Sequence, residues 1–275
     1  MKKIIIFLGL VFWPLGLYLT NQTNKLWVYF SPALLILASF FLYKKKSKFY
    51  PLPIILIPLV DSKLALFPVI CAALLIFTHK NHSLKFKAIF IFISLLILFI
   101  VRKQFISQSI FKLEYESKQK ILREINLYPN PLFARIYQNK AKIISDKMIG
   151  NLLALIDPGN YFFSFHPREG ILVNKNLIKY PFLAIIPFFL SFIGIKMVKH
   201  KRFFILILVS GILSLTFIEI FDESDFILWL PLAYFYLNGW KKLSLNKNKL
   251  STYLFYLLFL LNSIIELSRI FFVYK

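Results

Sequence analysis

Cysteine is almost missing from this chain of 275 residues: Cys71 stands alone inside an apolar run. A single thiol excludes a disulfide framework within the chain and any metal site built on cysteines. Cys71 reads as a small buried hydrophobe. The signatures of several common reaction classes are missing too. There is no glycine-rich phosphate loop, no Ser-x-x-Lys and no zincin motif, and nothing calls for a cofactor. Arginine is scarce, with six residues against 28 lysines. A nucleic-acid binder would gather its cations on one folded surface. Here the lysines cluster in short loops between apolar runs, at Lys44–Lys48, Lys196–Arg202 and Lys241–Lys249. The formal charge of +22 therefore reads as the positive-inside pattern of a membrane protein. Anionic lipid headgroups suit those loops as partners, and nucleic acid is not called for.

What the chain has is apolar length. Hydrophobic residues make up 59% of it and mean hydropathy is +0.69, above the roughly 45–50% apolar content of soluble domains. The expected fold is an all-α, multi-pass membrane helix bundle of about eight or nine segments, two of them short. Met1-Lys2-Lys3 followed by Ile4–Leu19 reads as an uncleaved first span, since no small-x-small cleavage site follows. Leu26–Tyr43 is a second. Pro51–Val60 and Leu64–Thr78 each fall short of the roughly 20 residues of a full span, and Asp61-Ser62-Lys63 interrupts them. A hairpin of two short segments keeps Lys80, Lys85 and Lys87 on the side of the other basic loops. Such short helices need neighbouring protein to cover their ends. Phe86–Val101, Tyr180–Ile195, Phe203–Phe221, Phe226–Leu237 and Thr252–Val273 complete the set.

This divides the chain into membrane segments at 1–102, a polar insert at 103–179 and membrane segments at 180–275. The N-terminus is expected on the cytoplasmic side and the insert outside. Within the insert, Ile110, Leu113, Ile121 and Ile125 recur at near-helical spacing. Tyr128-Pro129 breaks that segment, and Asn130-Pro131 supplies an N-cap with proline at the first helical position. From Leu132 the positions Phe133, Ile136, Tyr137, Ile144, Met148, Leu152 and Leu155 keep a helical period. Asp157-Pro158-Gly159 should stop that helix. These helices could pack on each other or lie in the headgroup zone, and Tyr161-Phe162-Phe163 reads as a short extended or interfacial aromatic segment.

The order of features from residue 145 to 275 is distinctive. A helix ends in "LLALIDPGNYFFSFHPRE", a loop leads to "YPFLAIIPFFLSFIGI", and a basic loop precedes "RFFILILVSGILSLTFIEIFDESDFILWLPLAYFYLNGW" and one final span. This order resembles the later part of GT-C-fold, lipid-phosphosugar-dependent glycosyltransferases of the dolichyl-phosphate-mannose mannosyltransferase and aminoarabinose transferase type. The resemblance implies a polyprenyl-phosphate-linked sugar as ligand. It also implies an acidic residue in the first external loop, acting as the base that activates the acceptor. In this chain that loop is Asn21-Gln22-Thr23-Asn24-Lys25, without a carboxylate. The departure points to a shortened or accessory relative.

Under this topology Asp61, Glu169, Glu219, Asp222, Glu223 and Asp225 all face outward. A transferase needs a carboxylate base and a cation for the lipid phosphate. Asp61 and Asp222 are the candidate catalytic bases. His166, Arg168, Glu169 and Glu219 are candidate substrate contacts. A carboxylate pair with His166 would also suit a metal, although no metal-ligand motif is present. The plainer reading is that Asp222, Glu223 and Asp225 form a solvated external turn. Asp61, between two short apolar segments, needs a partner or water, and Lys63 is the simplest partner. Glu266 and Arg269 are three apart on one helix and read as a local ion pair. His79 and His82 sit in a basic loop with no carboxylate nearby, and His200 lies among lysines; all three read as solvated.

Three functional readings follow. The first is an accessory relative of the GT-C enzymes in cell-envelope glycan or lipid-linked saccharide handling, working with a membrane partner protein. The second is an active transferase based on Asp61 or Asp222. The third is a transporter or channel subunit using the broken pair at 51–78, with Asp61 in a water-filled path.

Overall fold

A computed structural model describes residues 2–20, 26–78, 83–112, 115–127, 139–163, 179–193, 198–219, 222–245 and 249–273. Among them the chain is helical and holds no strand. The helices are α1 (Lys2–Thr20), α2 (Leu26–Lys44), α3 (Leu52–Ile55), α4 (Ile57–Val60), α5 (Leu66–Thr78), α6 (Leu84–Ser107) and α7 (Tyr115–Asn126). They continue as α8 (Lys140–Ile156), α9 (Gly159–Phe162), α10 (Ile185–Ile193), α11 (Lys201–Leu215), α12 (Trp229–Ser244) and α13 (Lys249–Val273). Three-ten turns occupy Ser62–Leu64, Phe182–Ala184 and Asp222–Leu228.

Among the described residues three stretches are long and apolar enough to cross a membrane: α2, α6 and the Leu250–Arg269 part of α13. Shorter apolar helical stretches lie at Ile6–Leu19, Ser62–Leu75 and Phe182–Ile193. These are consistent with a membrane location. Their outward faces carry exposed Phe92 and Phe99 on α6 and Leu257 and Leu261 on α13, the side chains a hydrocarbon phase would cover.

Local chemistry explains most of the boundaries. Ser83 opens α6 by accepting from the Phe86 amide at 3.3 Å, and Asn139 opens α8 by accepting from Lys142 N at 3.0 Å. Each satisfies an orphan amide of the first turn. The expected Asn130-Pro131 start lies outside the described residues. α8 stops at Asp157 as expected, and Asp157 Oδ1 accepts from Gly159 N at 2.7 Å, the side-chain turn that makes such triplets helix terminators. Two ends differ from expectation. α6 runs past Val101 to Ser107, because Arg102, Lys103 and Gln104 are good helix formers. α11 closes at Leu215, short of Phe221, and Thr216 Oγ1 bonds back to Leu213 O at 2.7 Å.

The stretch 51–78 turns back on itself at Asp61. Tyr50, just before α3, packs on Phe203 in the first turn of α11, ring centroids 6.3 Å apart. Asp61, after α4, accepts from Ser224, beyond the far end of α11. The chain therefore runs through α3 and α4 from the first turn of α11 towards its far end, and α5 returns beside α6 and α11. Ile54, Ile57, Leu64 and Ala65 are buried, whereas Leu52, Leu56 and Leu59 face outward, so the bundle covers one side of the short helices.

The far half of α8 and α9 pack on the apolar helices. Leu155, Tyr161 and Phe162 belong to the same core as Trp13, Ile207 and Phe235. Tyr161 and Phe162 sit in a single helical turn and are buried. An extended or interfacial segment is thus not what forms there: Pro158 and Gly159 redirect the chain, and the two rings turn inward.

Candidate functional site

The loops and turns after α11 gather the polar chemistry. Glu219 N donates to Gln108 O and Ile110 N donates to Phe217 O, both at 3.0 Å. These bonds tie the end of α6 to the end of α11. Asn151 on α8 is fully buried and donates through Nδ2 to Thr216 O at 2.9 Å and Ile218 O at 2.8 Å. It thereby satisfies carbonyls that α11 leaves open on closing. Lys147, one turn earlier, forms an ion pair with Glu219. Replacing Asn151 with alanine should strand both carbonyls and destabilise the protein by about 1–3 kcal/mol. Chemical denaturation in mixed micelles measures this, and an unchanged midpoint would mean water replaces the amide.

Deeper in the same region lies a charge pair closed off from solvent. Lys179, one residue before Tyr180 and the Pro181 turn, donates to Asp225 Oδ2 and to Asn160 Oδ1, the latter at 2.6 Å. Lys179 is 3% exposed and Asp225 0%. The ammonium lies 5.1 Å from the ring centroid of Trp13 and 5.4 Å from that of Tyr161, within the distance at which a desolvated cation gains from an aromatic face. Trp13 in turn touches Tyr161, Tyr180 and Phe226, with centroids 6.0, 5.9 and 5.7 Å apart. Aromatic rings from α1, α9, the entry to α10 and the 222–228 turn thus surround one ion pair. Taking each ion out of water costs several kcal/mol on the order of magnitude given by solvation. The carboxylate, the Asn160 carbonyl and the ring faces offset that cost together.

Tyr161 completes the surroundings. Its hydroxyl donates to Leu155 O at 2.7 Å. Burial first, and the Asp225 carboxylate second, push its phenol well above the ordinary range, so it stays a neutral donor. Next to Asp225, Ser224 Oγ donates to Asp61 Oδ2 at 3.2 Å. Asp61 is also buried and accepts from Lys63 N at 3.0 Å, capping the 62–64 turn.

Of the residues singled out in the sequence, the structure brings Asp61 into this cluster through Ser224. Glu219 forms its ion pair with Lys147 on α8. Asp222 opens the 222–228 turn, but its side chain and that of Glu223 lie outside the described residues. His166, Arg168 and Glu169 lie outside them altogether. Asp225 is corrected: it is a fully buried ion-pair member and not part of a solvated turn, because Phe226–Leu228 fold inward and carry it with them. Glu266 and Arg269 do pair, at 3.1 Å. Among the described residues no three His, Cys, Asp or Glu side chains gather as a metal site would require.

Sequence reasoning missed Lys179 and Asn160. A signal was present for each. Lys179 directly abuts an apolar run, where a lysine must reach water or a carboxylate. Asn160 lies in Asp157-Pro158-Gly159-Asn160-Tyr161, inside the most distinctive phrase of the chain.

Comparison with protein-family models, with curated proteins and with solved structures finds no match to this chain.

Proposed function

We propose that this protein is a non-catalytic, accessory relative of the GT-C glycosyltransferases. It acts in cell-envelope glycan or lipid-linked saccharide handling, beside a membrane partner protein. The order of features over 145–275 supports the kinship. The engagement of Asp61, the candidate base whose side chain is described, supports the accessory role and carries the reading. A general base must reach the proton it removes, within hydrogen-bond distance of substrate or through one water. Asp225 is closed in with Lys179, and Asp61 is buried against Ser224 and the 62–64 turn.

The proposed placement is a cytoplasmic-type membrane, with the N-terminus inside and residues 103–179 outside. Charge asymmetry supports it. Tyr43, at the end of α2, and His200, at the start of α11, have ring centroids 5.9 Å apart, so two basic loops share one end of the bundle. The acidic turn at 222–225 lies beyond the opposite end of α11. Cations gather on the inner side of membrane proteins.

The test is transfer activity in proteoliposomes with a panel of polyprenyl-phosphate sugars, wild type beside Asp61→Asn and Asp222→Asn. No turnover is expected with any donor in folded protein, together with co-purification of a membrane protein. Turnover that one substitution abolishes would overturn the accessory reading. It would establish an active transferase with that carboxylate as its base.

A further inference from the structure

The contact between α8–α9 and the bundle leaves a cavity of about 200 Å³ against α10, α11 and α12. Leu155, Tyr161 and Ile212 form part of its inner wall. Every lining side chain is apolar except Tyr161, and the Tyr161 hydroxyl already donates to Leu155 O. A ligand here is therefore offered hydrocarbon contact and no hydrogen bond. An apolar cavity of roughly 150 Å³ stays dry and takes up benzene, whereas sites for drug-sized molecules run to roughly 300–1,000 Å³. The size fits a length of one narrow chain and not a folded headgroup.

Its edge indicates where that chain comes from. Ile156 on α8 and Phe189 and Phe192 on α10 belong to the lining and are 58%, 58% and 42% exposed. On the same two helices Leu153 and Ile193 also present exposed apolar surface. In a bilayer that surface faces lipid tails. We propose that the cavity is a binding site for one acyl chain of a bilayer lipid. The chain enters between Ile156 and the α10 phenyl rings and completes the seam between α8–α9 and the bundle. No polar group selects a headgroup, so occupancy follows abundance by mass action, and the common acyl chains of the membrane fill it. The inference requires the chain to lie in a bilayer, with the far half of α8 and α9 sunk among the apolar helices and only the rest of 103–179 outside, and is independent of the accessory role.

The test uses the full chain in vesicles of phosphatidylethanolamine and phosphatidylglycerol, doped with a phosphatidylcholine that carries a diazirine near the end of one acyl chain. After illumination, labelled peptides are mapped. Labelling of Ile212 and Leu155 is expected to exceed that of Leu257 and Leu261 on α13 several-fold. Ile212→Trp should remove the excess and leave α13 unchanged. Leu208→Phe fills less space and serves if the tryptophan variant does not fold. Labelling no higher in the cavity than on α13 would overturn the proposal. So would loss of the cavity label on adding a small mole fraction of polyprenyl phosphate, because that would show selection of a rarer lipid.

Discussion

Lys179→Met is expected to lower stability by about 3–5 kcal/mol, the loss that follows when one member of a buried ion pair is removed. The methionine fills a similar volume, so the loss comes from Asp225. Its carboxylate would remain at 0% exposure beside Trp13 and Phe226, with its cation gone. Asp225→Asn should act in the same direction by leaving an ammonium against aromatic rings. The double variant Lys179→Met/Asp225→Leu separates electrostatics from shape. It should regain most of the loss, since apolar replacement of both partners is often neutral or stabilising. Denaturation midpoints in mixed micelles give the three values and their coupling. A double variant as unstable as the single ones would show that the pair positions its surroundings in a way that apolar packing does not reproduce.

Gly239→Ala is expected to be nearly as damaging, for a steric reason. A Cβ at Gly239 would lie 1.6 Å from Pro187 O and 2.4 Å from its carbonyl carbon. Both obstacles are backbone, so no rotamer change relieves them. α10 and α12 cross at this point, and only a glycine allows the approach. Overpacking usually costs about 1–3 kcal/mol, and a clash with main chain belongs at or above the top of that range. Gly150 on α8 is the control, because nothing lies within 4 Å of a Cβ there. Gly150→Ala should raise stability by about 0.5–1 kcal/mol through helix propensity. A Gly239→Ala protein with the wild-type midpoint would mean the two helices separate without loss.

Much of the helical architecture was readable in the sequence, and for local reasons. The breaks at Asp61 and Asp157-Pro158-Gly159 come from capping and turn chemistry within a few residues, and Asp61-Ser62-Lys63 between two apolar stretches marked where 51–78 is interrupted. The inward fold of Tyr161 and Phe162 was not readable, because apolar residues suit an interface and a core equally well. The ion pair was hidden for another reason. Lys179 and Asp225 sit in two separate stretches, each of which looks like an ordinary polar flank of an apolar run. Only their meeting across 46 positions gives either residue its role. Asp61 lies between these cases: the need for a partner was visible, while Ser224 as that partner was not.

The separation of Lys179 from Asp225 also bears on biosynthesis. When α10 leaves the ribosome, the acid that neutralises Lys179 has not been made, and α11 must be inserted first. Until then the ammonium gains more from water than from the rings of Trp13 and Tyr161. α8 and α9 therefore cannot take their final seats during early synthesis. The carbonyls of Thr216 and Ile218 that hold Asn151 emerge only a few residues before Asp225, so both fastenings become available together. The seating of α8 and α9 would then wait for residues 216–225, and α12 and α13, which supply Phe235, Trp240 and Phe259 to the same core, would close the bundle after them.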